Sequence, residues 1–97
     1  MHSVSSNAVA EAIDNSIINI IGSFNVNLSA NDYSNVIVHF TETLPNAYYV
    51  LSFHPVSAGS ILFSVMNRDT SGFTVNVRNL NNMNLNITCN WILMCKR

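Results

Sequence analysis

The chain has 97 residues, 48% of them hydrophobic and only 9% charged, with a net charge of −1 at pH 7. That length holds one domain, and so small a domain leaves much of its surface exposed after folding, which makes oligomerisation an expected source of stability. Four Lys and Arg against five Asp and Glu give no clustered cations for nucleic acid, and no run approaches the ~18 apolar residues of a membrane span.

At the N-terminus no basic segment precedes an apolar core, so no signal peptide is expected. Ser5 and Ser6 precede Asn7-Ala-Val-Ala-Glu-Ala-Ile-Asp, which has the composition of a capped helix. Val9, Ile13, Ile17 and Ile20 recur at helical spacing and would form one narrow apolar stripe. Three or four turns are marginal alone in water, so the stripe is expected to pack on the strands or on copies of itself. Isoleucine at such positions leans toward three-stranded assembly. Gly22 closes this segment, and the expected organisation is a linker or stalk helix over residues 1–22 followed by a β domain over 23–97.

From Ser23 the period changes to two. Phe24, Val26 and Leu28 share one face of a first strand, and Ala30-Asn31-Asp32 is a turn signal. Val36, Val38 and Phe40 alternate with Ile37, His39 and Thr41 in a second strand that ends before Pro45. A third runs from Tyr48 to Phe53, and a loop follows from Pro55 to Gly59. Ile61, Phe63 and Val65 define a fourth, after which Asn67 to Gly72 reads as a turn. The last two strands place Phe73, Val75 and Val77, then Leu85, Ile87, Cys89, Trp91 and Leu93, on inner faces. Short, evenly spaced strands without crossover helices predict an all-β fold, a six-stranded antiparallel β-sandwich behind one short helix.

The polar faces are built from Asn, Ser and Thr; Asn alone occurs 16 times. Ile37, Tyr48, Val50, Leu62, Ile92 and Met94 fall opposite the expected core, more apolar surface than a free monomer should show. Expected oligomer contacts are therefore Val9, Ile13, Ile17 and Ile20 on the helix and Ile92 and Met94 on the last strand. Cys89 and Cys95, six positions apart in one strand, stand about 20 Å apart at ~3.3 Å per residue, too far for a disulfide. They read as buried thiols in a protein made in a reducing cytoplasm.

No catalytic residue stands out. Glu11, Asp14, Asp32, Glu42 and Asp69 show no spacing that pairs carboxylates in a cleft. His2, His39 and His54 lack metal-ligand spacing, and three glycines make no phosphate loop, so neither metal nor cofactor is expected. Asn27-Leu-Ser and Asn86-Ile-Thr match the glycosylation pattern, read as coincidence in a chain without a secretory signal. Trp91 has core parity, while Tyr33, Tyr48 and Tyr49 offer rings of the kind that stack on sugars. A binding module would draw directional hydrogen bonds from Asn67, Arg68, Asp69, His54 and Asn81 beside Tyr48.

Ser3-Val-Ser-Ser-Asn-Ala-Val-Ala-Glu-Ala-Ile resembles the linker helix that precedes C-terminal domains in bacteriophage and prophage tail fibres. Gly72-Phe-Thr-Val-Asn-Val-Arg-Asn, with Asn86-Ile-Thr-Cys-Asn-Trp-Ile, is similar to the last two strands of fibre-tip β-sandwiches and H-type lectins. Together these stretches cover about a third of the chain. The resemblance implies a homotrimeric, non-catalytic fibre tip in the virion, joined to upstream fibre or baseplate segments and recognising a host-cell surface glycan or protein. No sugar-contacting residue of the lectins carries over, and the His-X-His pattern of metal-bearing fibres is absent. A purely structural trimerisation or connector module is the alternative, and a surface-glycan hydrolase using Asp69 and Glu42 ranks third.

Overall fold

The computed structural model describes residues 17–56 and 59–97. Six strands follow in order: β1 (Ile17–Leu28), β2 (Tyr33–His39), β3 (Val50–Pro55), β4 (Ile61–Asp69), β5 (Gly72–Asn79) and β6 (Leu85–Lys96). They form two three-stranded antiparallel sheets, β1-β6-β3 and β2-β5-β4. Only β4 and β5 make a hairpin within one sheet; every other connection crosses between the sheets. The all-β, six-stranded expectation holds, and no helix lies among the described residues.

The alternation in the sequence becomes the two faces of each sheet. Phe73, Val75 and Val77 of β5 and Ile87, Cys89, Trp91, Leu93 and Cys95 of β6 are all buried, and both cysteines are free thiols. Tyr49 and Leu44 join them from the stretch before β3. Aromatic rings bridge the layers. Phe73 meets Trp91 edge-on at 5.1 Å between centroids, and Phe53 stacks on Phe63 at 5.2 Å, sealing the side where β3 faces β4. On the opposite side β1 approaches β2, and a hollow remains between β1 and the stretch that follows β2.

Outer faces carry neutral polar pairs. Asn25 on β1 donates to the Thr88 hydroxyl on β6 at 2.7 Å, and Asn76 on β5 donates to Asn35 on β2 at 2.9 Å. Tyr48, Val50, Ile37 and Leu62 point outward as expected and are more than half exposed.

The N-terminal expectation needs correction. Ile17 and Ile20 do not share a helical stripe: β1 begins at Ile17 and runs unbroken through Gly22. On a strand these two residues face opposite ways. Ile20 packs on the core, and Ile17 borders an outer hollow with Tyr48, Val50, Met94 and Lys96. Twelve residues of β6 require a partner of equal length, and β1 supplies it from Leu28↔Leu85 to Ile17↔Lys96. β-branched isoleucines favour that extended state. Val9 and Ile13, with the rest of the expected helix, lie outside the described residues.

The expected turn from Asn67 to Gly72 also shortens. Asn67, Arg68 and Asp69 belong to β4, Gly72 opens β5, and only Thr70 and Ser71 turn. A bulge between Val65 and Asn67 shifts the register there. Asp69 closes the turn by accepting from the Ser71 amide and hydroxyl, both at 2.8 Å. The Tyr49 hydroxyl crosses from the other sheet and donates to the Gly72 carbonyl at 2.7 Å.

Candidate functional site

Among the described residues a concavity opens on the side of β1 and β2. Its floor is Trp91, and its walls are Ile18 to Ile21 of β1 and the stretch from His39 to Leu44 after β2. That stretch is pinned at both ends. The Phe40 amide donates to the Ser71 carbonyl and the Leu44 amide to that of Thr70, both at 2.8 Å, and Leu44 is buried. Thr41, Glu42 and Thr43 therefore bow outward as an exposed rim.

The cleft measures about 480 Å³, within the ~300–1,000 Å³ common for small-ligand sites. Its depth is apolar, from Ile18, Ile20, Phe40 and Leu44, with Phe40 6.3 Å from the indole between centroids. The polar rim adds Asn19, His39 and Glu42, and no Lys or Arg lines it. The indole Nε1 is buried with no hydrogen-bond partner. A buried donor without an acceptor costs about 1–3 kcal/mol.

The residues expected to bind ligand are not brought together. Tyr48 is 88% exposed on the outer face of the β1-β6-β3 sheet, beside Val50 and Met94. Asn67 borders a small hollow on the outer face of the other sheet, with Ile37, His39 and Asp69. Arg68 donates to the Tyr49 carbonyl at 2.7 Å and sits 6.0 Å from that ring's centre. His54 is exposed on β3, opposite Asn90. Asn81 lies at the far end of the sandwich, its amide tied to Ser60 and to Asn79. Arg68, Asp69 and Asn81 thus have structural partners, while Tyr48, His54 and Asn67 face solvent. Tyr49 is core, not surface.

Glu42 and Asp69 border different hollows. Hydrogen bonds from the Ser71 hydroxyl and amide hold the Asp69 carboxyl below its usual range, the opposite of what a general acid needs. Among the described residues no group of three His, Cys, Asp or Glu is placed to hold a metal ion, and no helix is long and apolar enough to cross a membrane.

The cleft leaves little trace in the sequence, because Trp91 at its floor lies far along the chain from both walls. The available signal was the single Trp combined with a charged loop, Thr41-Glu42-Thr43, between two strands.

No protein-family model and no curated protein matches this chain. Among solved structures it is similar to an N-truncated R1-type pyocin tail fibre, with a TM-score of 0.64 and 12% identity over 84% of this chain and 73% of that one. It is also similar to the C-terminal residues 323–701 of the P. aeruginosa R1 pyocin fibre, with the same TM-score and identity over 84% of this chain and 24% of that one. At 12% identity, what these chains share is the fold.

Proposed function

We propose that this chain is a non-catalytic tail-fibre domain of a bacteriophage or phage-derived particle, assembled as a homotrimer and acting in attachment to a host-cell surface, with a surface glycan as the ligand class. The observation that carries this reading is the fold held in common with pyocin tail fibres over 84% of the chain. Outer-surface side chains that the fold does not use, Tyr48, His54 and Asn67, supply ligand contacts. Tyr48 adds a ring face and a hydroxyl, the combination that suits a sugar.

The assembly part of the reading is supported by the outer face of the β1-β6-β3 sheet. Ile21 is 77% exposed, Val50 62% and Met94 45%, and Ile92 lies between Ile21 and Ser52 in register. A contiguous apolar face of this kind belongs in a contact. It equally favours the second reading, a connector module whose work is trimerisation alone.

Binding of the purified protein to a panel of bacterial cells and to a glycan array separates the two. Saturable binding that weakens in Tyr48→Ala is expected. Silence across the panel from a protein that is assembled in solution would overturn attachment and leave the connector.

A further inference from the structure

We infer that the free edge of β1, together with the cleft beneath its first half, is the docking site for a strand of a second copy of this chain. Among the described residues β1 ends its sheet, so one side of its backbone carries amide and carbonyl groups that β6 does not pair. At ~3.3 Å per residue that edge is roughly 40 Å long.

Two of the other three edges in the fold are blunted, and the third, β2, is shorter at seven residues. β3 has six residues and ends in Pro55, and β4 carries a bulge followed by Arg68 and Asp69. Prolines, charges, bulges and short length are the usual devices that stop an edge from recruiting another strand. β1 has none of them: twelve residues, no charge, no proline and an unbroken register. An edge left so receptive is one that the assembled protein covers.

The cleft fits the same occupant. Four consecutive residues, Ile18 to Ile21, border it. Successive side chains on a strand point to opposite faces, so only the edge presents all four at once. An extended chain laid along that edge would send alternate side chains into the apolar depth between the sheets.

Backbone pairing requires a polypeptide, and the uncharged edge selects an uncharged strand. This chain's own strands meet that description; β2, Tyr33–His39, contains neither proline nor Asp, Glu, Lys or Arg. The edge is also continuous with the apolar face assigned above to subunit contact, because Ile21 sits directly across from Ile92. The inference rests on the assembly in that reading and adds the surface that makes it.

Hydrogen exchange resolved along β1, with light scattering at the same concentration, tests it on the unsubstituted 97-residue protein. In the oligomer, the alternate β1 amides that do not bond to β6 should be as protected as those that do. Asn19→Lys, at an exposed position on that edge, should weaken assembly about tenfold or more while leaving the circular dichroism spectrum unchanged. An oligomer whose alternate β1 amides exchange at unprotected rates overturns the docking site and leaves the trimer and its host attachment standing. A monomer with the same rapid exchange overturns the docking site and the trimer together.

Discussion

Gly22 stands directly across the β1–β6 ladder from Trp91, and a β-carbon at that position would lie within 2.5 Å of the indole Cε2. Glycine is required here by space: the ring occupies the place of the missing side chain. The largest side chain in the protein is thus seated by the smallest. Gly22→Ala is expected to destabilise the fold by about 1–3 kcal/mol, the usual cost of overpacking a filled core. Urea unfolding followed by circular dichroism measures it. Trp91→Phe should relieve part of that cost, so the two substitutions should couple in a double-mutant cycle; strict additivity would contradict the geometry.

Tyr49 ties the two sheets through its hydroxyl, and Tyr49→Phe should cost about 0.5–1.5 kcal/mol at neutral pH for the lost bond to Gly72. The same side chain sets an alkaline limit. Burial, with the Asp69 charge second, raises the phenol above its ordinary value of 10.0. A raised folded-state pKa means stability that is whole below the unfolded value and is lost as pH climbs through the folded one. Stability of the native sequence should therefore fall above pH ~10. Thermal melts between pH 9 and 11 should show a steeper decline for the native protein than for the Phe variant.

Asn79 is the buried polar hub of the opposite end. Its amide donates to the carbonyls of Ser29 at 3.0 Å and Met83 at 2.9 Å, and its oxygen accepts from Asn81. Asn79→Ala would strand these backbone groups together, at about 1–3 kcal/mol for each one left unsatisfied. Asn79→Asp keeps the acceptor and loses the donor, so it should be destabilising as well. Chemical denaturation of the two variants checks this, and a stability equal to that of the native protein would show that water replaces the amide.

Both thiols should resist alkylation in the folded state. Cys89 and Cys95 are fully buried, and burial raises the Cys89 thiol above its ordinary 9.0, which suppresses the reactive thiolate. Iodoacetamide labelling at pH 8 should proceed only as fast as the protein opens, and should accelerate in Gly22→Ala.

Much of the sandwich was legible because burial on one face writes itself as alternation. The parity that placed Phe73, Val75 and Val77 inside, and Tyr48 and Val50 outside, survives residue by residue. Ile17, Ile18, Ile20 and Ile21 were ambiguous for a physical reason. Spacings of three and four satisfy a helix, while the same four residues also fill both faces of a strand. What decides between them is a partner of matching length, β6, seventy residues away in the chain. The segment from Asn67 to Asp69 misled in the other direction: turn-forming residues there extend a strand because pairing with β5 continues past the bulge. The cleft was illegible, since Trp91 at its floor lies far along the chain from the walls on β1 and after β2.

The amide and hydroxyl pairs of the outer faces, Asn25 with Thr88 and Asn35 with Asn76, bear on where such a protein can work. Their dipoles carry no net charge and hold no atmosphere of counterions. Screening over the ~8 Å Debye length of physiological salt therefore has little to act on. Pairs of this kind keep nearly the same strength in dilute solution and in brine, so their contribution to the fold does not depend on the salt of the medium.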